Sequence, residues 1–234
     1  MKTIGLLGGM SWESTASYYR IINEAVKANR GGFHSAPIAM VSVDFADIEA
    51  LQRQGDWQRM AELLAGHARS VQQAGADLLL ICTNTMHQVA DQVQAAIEIP
   101  VVHIVDATAA ALKQAGVTRV GLLGTRFTME QPFFKDRLQQ RYGIEVTVPA
   151  ADDQKTVHEV IYSELCQGIL RQESRQRIVS IIEGQRVQGA EAVILGCTEI
   201  ALLVQPSDID VPLYDTTRIH AHAAVAQALD VGGL

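Results

Sequence analysis

The sequence predicts an α/β protein made of two similar half-repeats, each a three-layer unit with a parallel sheet between helices. Three observations carry this prediction. Short apolar runs alternate with amphipathic stretches, the runs lack the strict polar alternation of a half-exposed sheet, and the segment 75–83 recurs at 189–197. Buried strands that alternate with helices are typical of parallel α/β folds.

The apolar runs and the helical spacing between them predict the individual elements. Buried strands are expected at 4–7, 39–43, 78–81, 101–105, 120–123, 145–148 and 192–195. Apolar residues at intervals of three and four predict amphipathic helices, among them 18–26, 57–71 and 157–169. Right-handed crossovers would connect these elements.

The internal repeat defines the domain organisation. Residues 75–83 align with 189–197 at an offset of 114 (189 minus 75), and residues 4–8 align with 120–124 at 116 (120 minus 4). Two matches in the same order at nearly one offset indicate a duplicated unit. We expect a first α/β half of residues 1–100 plus 216–234, and a second half of residues 101–215.

Composition and charge exclude several classes of partner. The 234 residues carry a formal net charge of −7, and no basic stripe exists to bind nucleic acid or an anionic membrane surface. The amino-terminal apolar run is too short for a signal peptide. An odd number of widely spaced cysteines (Cys82, Cys166 and Cys197) suits reduced thiols, so we expect a cytoplasmic protein.

Two short polar motifs follow equivalent strands of the repeat. Ligands of open α/β sheets bind outside the carboxyl ends of the strands. Residues 82–85 (Cys-Thr-Asn-Thr) occupy such an end in the first half, and residues 196–199 (Gly-Cys-Thr-Glu) do so in the second. Thr83 and Cys197 are then equivalent. If the halves face each other about a pseudo-two-fold axis, both motifs converge on one active-site cleft.

A pseudo-symmetric pair of polar residues suits the inversion of a stereocentre that carries a C–H bond. One group removes the proton from one face, and the other delivers a proton to the opposite face. Cysteine can serve as the base when a helix N-terminus lowers its pKa, and a helix start is predicted directly after Cys197. Asn84, Thr85 and Thr198 could hold a substrate carboxylate, together with the helix N-termini.

At these residues the chain resembles a known family. The motifs at 82–87 and 195–200 look like the two signatures of the aspartate/glutamate racemase family, and residues 8–15 are similar to its broad-specificity amino-acid racemase subgroup. The resemblance covers nearly the whole chain. It implies racemisation of a small amino-acid substrate without a cofactor, with two cysteines as acid and base. We expect a homodimer.

The chain departs from the family at one of these two cysteines. The second cysteine maps onto Cys197, whereas the first maps onto Thr83. Cys82 is one residue away and would point to the other face of an extended strand, so we interpret it as a core residue. A threonine hydroxyl can donate a proton but is a poor source of an anionic base. The resemblance implies that the second cysteine, here Cys197, acts on L-substrates, so we expect turnover to be faster from L to D.

Further residues are substrate-contact candidates. Met10 lies in the glycine-rich turn after the first strand, and Thr125 occupies the repeat position of Gly9. Gln52, in a polar stretch that reads as a loop, is a candidate through the resemblance. Glu199 completes the second motif.

No metal site and no pyridoxal cofactor are expected. His220 and His222 are two apart on a predicted helix and share no face, and no lysine occupies a convincing Schiff-base position.

Two alternatives to racemisation remain at this point. Cis-trans isomerisation of a dicarboxylate or decarboxylation of a malonate would use related chemistry. A non-catalytic amino-acid-binding protein is the alternative from another class, because the first cysteine is missing.

Overall fold

The computed structural model describes residues 1–229. Residues 230–234, which the sequence analysis assigned to the first half, lie outside the described residues. The chain divides into two compact units. Unit 1 comprises residues 1–104 and the segment that begins at Thr217, and unit 2 comprises residues 105–216.

Strands and helices alternate along the described chain. The strands are β1 (Ile4–Gly8), β2 (Ile38–Ser42), β3 (Leu78–Ile81), β4 (Arg119–Gly124), β5 (Glu145–Thr147), β6 (Ala192–Gly196) and β7 (Leu213–Asp215). The helices are α1 (Trp12–Arg30), α2 (Phe45–Gln54), α3 (Trp57–Gln73), α4 (Ala90–Ala95), α5 (Ile104–Gln114), α6 (Arg126–Glu130), α7 (Pro132–Tyr142), α8 (Ala151–Ser163), α9 (Gln172–Val187), α10 (Ile200–Leu203) and α11 (Thr216–Leu229). Short 3₁₀ helices cover Thr85–Val89, Leu165–Gln167 and Pro206–Asp208.

Unit 1 is a parallel sheet with the strand order β2-β1-β3. Alternate residues of its buried strands point to opposite faces. Leu7 and Leu79 join one apolar cluster with side chains of α3, while Leu6 and Leu80 join a second cluster with side chains of α1 and α11. Because both faces are covered, the buried strands β1 and β3 carry no polar side chains, as the uninterrupted runs in the sequence predicted.

Unit 2 has a parallel sheet with the order β5-β4-β6-β7. Leu123, Val193 and Leu195 pack with side chains of α8 and α9 in one apolar cluster. Within α5 and α7, Asp106 and Arg137 form a bidentate ion pair with N–O distances of 2.6 and 2.7 Å. The start of α5 is thereby joined to the middle of α7.

The sequence repeat is reproduced in the strand register. In unit 1 Ile4 is opposite Leu78, and in unit 2 Val120 is opposite Ala192. The offsets of 116 and 114 residues convert the first pairing into the second. The predicted fold class, two α/β half-repeats with parallel sheets, is therefore confirmed.

The strand predicted at 101–105 is wrong. Val101 makes only a single parallel bridge to Leu79, and α5 has already begun at Ile104. The helical spacing of apolar residues over 104–114 outweighs the strand propensity of the β-branched residues that precede it. The equivalent place in unit 2 is taken by β7, which pairs Leu213 with Val193 and was not predicted. β7 spans only three residues, too few to give a recognisable apolar run.

The helix predicted at 157–169 is also too long. α8 ends at Ser163, and the chain continues as the 3₁₀ helix Leu165–Gln167. Gly168 then adopts a φ of 71°, a left-handed conformation that ends the helical course. Cys166 lies in this 3₁₀ helix and not on the long helix that we expected. Among the described residues, no helix has both the length and the apolar character needed to cross a membrane.

The last helix of unit 1 contributes a buried histidine. His220 donates from Nε2 to the Val102 carbonyl at 2.6 Å and accepts at Nδ1 from the Tyr18 hydroxyl at 2.8 Å. A carbonyl oxygen only accepts, so the proton of the neutral ring is on Nε2. Burial lowers the pKa of His220 to about 4, because the charged ring would lose its hydration.

This histidine should make the protein sensitive to acid. The unfolded chain binds a proton at His220 below about pH 6.5, whereas the folded chain does so only near pH 4. The free energy of unfolding should thus fall by about 3 kcal/mol as the pH drops through this window. Urea titrations of His220→Gln should show a shallower dependence. Burial and then the charge of Arg218 also lower the pKa of the more exposed His222, but less than burial lowers that of His220. The same substitution at His222 should therefore change the pH dependence less, and equal slopes for the wild type and His220→Gln would contradict the assignment.

Candidate active site

The turn between β1 and α1 forms one part of the candidate site in unit 1. Gly9 has a φ of 92°, and a Cβ there would collide with the backbone of Val43, so this position requires glycine. The Gly9 N–H donates to Thr15 Oγ1 at 2.8 Å, and the Ser11 hydroxyl accepts from the Ser14 N–H as the N-cap of α1. Met10 is buried between these bonds. The turn therefore has a fixed conformation at the N-terminus of a long helix.

The first polar motif follows β3 directly. Cys82 is fully buried in the core, its N–H donates to the Leu7 carbonyl, and burial raises the pKa of its thiol. The interpretation of Cys82 as a core residue is therefore confirmed. Thr83 is half-buried, while Asn84 and Thr85 are buried. The Ser14 hydroxyl donates to the Cys82 carbonyl at 3.2 Å and connects this motif to the start of α1.

Gln52 does not lie in a loop as expected. It belongs to α2, which begins after the N-cap Asp44 and ends at Gly55 in a left-handed conformation. Its side chain is 3 % exposed, far less than that of a solvated loop glutamine. A buried amide requires hydrogen-bond partners inside the protein, whereas a surface glutamine finds them in water.

The second polar motif follows β6 in unit 2. Cys197 is 8 % exposed, and its thiol donates to Glu199 Oε2 at a distance of 3.0 Å. Glu199 is itself buried and precedes the short helix α10. The sequence analysis gave Glu199 only as a substrate contact. The contact between its carboxylate and the thiol was missed, because the sequence does not show that the two side chains point towards each other.

The acidity of Cys197 differs from the expectation. We predicted that a helix start would lower its pKa, and this is wrong. Burial, and then the negative charge of Glu199, hold the pKa of the Cys197 thiol well above its usual range. α10 has only four residues and offers little compensating dipole. In the unliganded protein the thiol is therefore protonated at neutral pH, with a carboxylate positioned to accept its proton.

The remaining candidates of unit 2 flank this pair. Thr125 follows β4 and is the N-cap of α6, where its hydroxyl oxygen accepts from the Thr128 N–H at 3.3 Å. Thr198 is buried between Cys197 and Glu199. Gly124 and Gly196 are opposite each other at the ends of β4 and β6. The candidate residues of unit 2 thus lie at the carboxyl ends of two adjacent strands.

In each unit, therefore, the polar candidates follow the paired central strands. Unit 1 brings the glycine-rich turn and residues 83–85 to the ends of β1 and β3, while Gln52 is on α2. Within residues 1–229, no group of three or more His, Cys, Asp or Glu side chains is arranged to hold a metal ion. The candidate side chains can transfer protons through the Cys197 thiol, the Glu199 carboxylate and the Thr83 hydroxyl.

These features define a class of protein: two repeated parallel α/β units that carry polar groups able to exchange protons after their central strands. The family model of Asp/Glu/hydantoin racemases matches residues 7–224 of the 234. The chain belongs to this racemase family. It is an amino-acid racemase, an isomerase that inverts the α-carbon of its substrate.

Solved structures and a curated relative agree with this assignment. A proposed Asp/Glu racemase from Yersinia pestis is 53% identical, with a TM-score of 0.92 over 98% of this chain and 100% of its own. An aspartate racemase homologue from Pyrococcus horikoshii is 34% identical, with a TM-score of 0.85 over 97% and 99%. The broad-specificity amino-acid racemase of Bacillus subtilis is 20% identical over 97% of this chain and 98% of its own.

The thiol–carboxylate pair gives a direct prediction for the reactivity of Cys197. Its alkylation by iodoacetamide, followed by peptide mass spectrometry, should be slow near pH 7 and still rising above about pH 8.5, the pKa of an exposed cysteine. Glu199→Gln removes the negative charge that disfavours the thiolate, so alkylation at a given pH should accelerate. Glu183→Gln, at a half-buried position of α9 where the carboxylate pairs with Arg186, is the matched control. A wild-type rate that reaches its plateau below pH 8 would contradict the raised pKa.

Proposed function

We propose that the protein racemises aspartate or glutamate without a cofactor, with Cys197 as the base and Thr83 as the proton donor on the opposite face. The observation that carries this proposal is the Cys197 thiol, 3.0 Å from the buried carboxylate of Glu199, at the repeat position of Thr83. Cys197 can lose its proton to Glu199, and Thr83 can supply a proton. The reaction requires both groups to reach the same α-carbon from opposite sides.

The proposed reaction begins with proton transfer from the Cys197 thiol to Glu199. The resulting thiolate removes the α-proton of the L-substrate, and the electron pair of the C–H bond remains on the substrate as a carbanion. The Thr83 hydroxyl then donates its proton to the other face. Glu199 returns a proton towards solvent, and the Thr83 alkoxide is reprotonated from solvent, so that the net change is inversion alone.

The substrate ammonium group explains how a thiol of raised pKa can act. The positive charge of a bound amino acid lowers the cost of forming a thiolate close to it, and a closed site strengthens that interaction. The Cys197–Glu199 pair would then hold its proton on the thiol until substrate arrives. This arrangement protects the thiol when the site is empty.

The polar residues around the two motifs are proposed to bind the substrate. The N-terminus of α1 and its glycine-rich turn offer backbone N–H groups to a carboxylate, next to Met10. Asn84 and Thr85 in unit 1, and Thr125 and Thr198 in unit 2, provide further polar groups at the carboxyl ends of the strands. Gln52 is proposed as an additional contact because its amide is buried.

The names of the relatives support an acidic substrate. The Yersinia protein is described as a proposed Asp/Glu racemase and the Pyrococcus protein as an aspartate racemase homologue. The relative from Bacillus has broad specificity, so a wider range of amino acids is the second candidate.

The proposed directionality follows from the chemistry of Thr83. Removing a proton from a D-substrate would require the Thr83 alkoxide, a far stronger base than the site can generate readily. The equilibrium constant of racemisation is one, so kcat/KM must be equal in both directions. The bias must therefore appear as a higher kcat and a higher KM for the L-enantiomer.

Deuterium exchange tests the proposed mechanism. In deuterium oxide, L-aspartate or L-glutamate should gain α-deuterium and invert, and Cys197→Ser should lose at least about 100-fold in both rates, as expected when the base is removed. Cys82→Ser, at a core position outside the site, is the control for a cysteine substitution. Binding without exchange in the wild-type protein would favour the amino-acid-binding alternative.

Thr83→Cys tests the directionality. A second thiol should supply the missing base, so kcat from the D-enantiomer should rise by about 10-fold or more. Initial rates from each pure enantiomer give kcat and KM separately. Equal kcat and equal KM for the two enantiomers in the wild-type protein would contradict the proposed bias.

We also propose that the protein is a cytoplasmic homodimer. No disulfide joins Cys82, Cys166 and Cys197, which suits a reducing compartment. In unit 1, exposed apolar side chains of Trp12 and Tyr19 on α1 line one groove with Met40 of the edge strand β2. Contiguous exposed apolar side chains are typical of interaction surfaces.

Sedimentation equilibrium measures the oligomeric state. The wild-type mass should be twice the 25.4 kDa of the chain. A double substitution, Tyr19→Glu with Met40→Glu, should shift the mass towards the monomer, because two charges would be buried without partners. Val187→Glu, at an exposed apolar position of unit 2, should leave the mass unchanged. A monomeric wild-type protein would contradict the dimer.

A further inference from the structure

His87 is a buried side chain that the proposed mechanism does not use. It lies in the 3₁₀ helix Thr85–Val89 and is 3 % exposed. Both of its ring nitrogens contact the main chain: Nδ1 is 2.8 Å from the Thr83 carbonyl oxygen, and Nε2 is 3.2 Å from the Ile104 nitrogen. The ring therefore bridges the first motif and the beginning of α5.

These two contacts fix the tautomer of His87. The Ile104 N–H can only donate, so Nε2 must accept and carries no proton. The proton of the neutral ring is then on Nδ1, which donates to the Thr83 carbonyl. A ring protonated at both nitrogens would lose the bond to Ile104, so the bridge exists only in this neutral form.

The surroundings of His87 keep it neutral. Its ring centroid is 4.7 Å from that of His103 and 5.6 Å from that of His220. Burial, and then the charge that each of these neighbours would carry, hold the pKa of His87 well below its usual range. His220 is in turn fixed by its bonds to Val102 and Tyr18. The bridge thus persists across the neutral pH range.

The bridge determines the backbone position of Thr83. The Thr83 N–H donates to the Ile81 carbonyl at 2.8 Å, and its carbonyl accepts from His87. Both main-chain groups of a half-buried residue are therefore held. The hydroxyl is attached two bonds from this backbone, so its direction depends on these two bonds together with the side-chain rotamer.

We propose that His87 is a positioning residue for proton donation by Thr83, an inference that rests on the proposed function. His87 does not touch the substrate in this scheme. It holds the Thr83 carbonyl so that the hydroxyl meets the carbanion on the face opposite Cys197. Without the bridge the carbanion lives longer, and the Cys197 side returns a proton to the face from which one was removed.

Loss of the His87 bridge should change how the carbanion divides between reprotonation from the Thr83 side and reprotonation from the Cys197 side. In deuterium oxide, L-substrate that is reprotonated from the Thr83 side becomes deuterated D-product. The Cys197 thiol first carries the proton taken from the substrate. Once that thiol has exchanged its proton with solvent through Glu199, reprotonation from the Cys197 side gives deuterated L-substrate, which is exchange with retention. The ratio of retention to inversion therefore measures how well Thr83 competes, independently of the amount of active protein.

The test compares three variants with the wild type, using L-aspartate and L-glutamate and resolving the enantiomers by mass. His87→Ala should raise the ratio of retention to inversion by about 10-fold or more, as misplacement of a reacting group by a fraction of an ångström does. His87→Asn places an amide N–H near the position of Nδ1 and should restore part of the wild-type ratio. His220→Gln disturbs the same histidine cluster without contacting Thr83, and should leave the ratio unchanged.

An unchanged ratio in folded His87→Ala would overturn the inference while leaving the proposed function intact. A wild-type protein that neither exchanges nor inverts would overturn the proposed function and this inference with it. If both His87 variants fail to fold, ¹⁵N–¹H correlation spectra of the wild-type imidazole rings decide the matter. A proton on Nε2 of His87 would overturn the inference, and a proton on Nδ1 would support it.

Discussion

Parallel pairing of two buried strands, made once in each unit with the same register, is the constraint on which the other features depend. β1 pairs with β3 as β4 pairs with β6. Because parallel strands end at one edge of the sheet, the residues that follow them lie near that edge. Thr83 and Cys197 therefore occupy equivalent positions whatever their chemistry, and a duplicated scaffold supplies a pair of reactive groups from a single pattern of folding.

Burial gives those positions their properties. Cys82 and Cys197 are both buried, and in both the loss of hydration raises the pKa of the thiol. The Cys82 side chain lies in an apolar cluster, 3.9 Å from the Leu80 carbonyl oxygen, whereas Cys197 has the carboxylate of Glu199 within hydrogen-bond distance. The difference between a core cysteine and a candidate base is therefore the proton acceptor beside it, not the exposure of its sulfur.

Much of this arrangement is predictable from the sequence, and the exceptions have physical reasons. Apolar runs and the repeat predict the central strands, because burial on both faces leaves no polar alternation. The strand expected at 101–105 failed because the helical period from Ile104 onwards extends the helix into the run. The burial of Gln52 and the acidity of Cys197 depend on neighbours distant in sequence or on side-chain direction, which no local pattern contains.

In the proposed reaction, the repeat also explains why Thr83 and Cys197 need different support. At an offset of 114, Thr85 corresponds to Glu199 and His87 corresponds to Ala201. A thiol must lose its proton, so the cysteine side needs a carboxylate, and it has Glu199. A hydroxyl needs no such partner to donate its proton. It carries a single proton that must point towards the carbanion, so Thr83 needs a fixed backbone. We propose that His87 provides it through the Thr83 carbonyl, so that the asymmetry of the two supports follows from the asymmetry of the two proposed reactive groups.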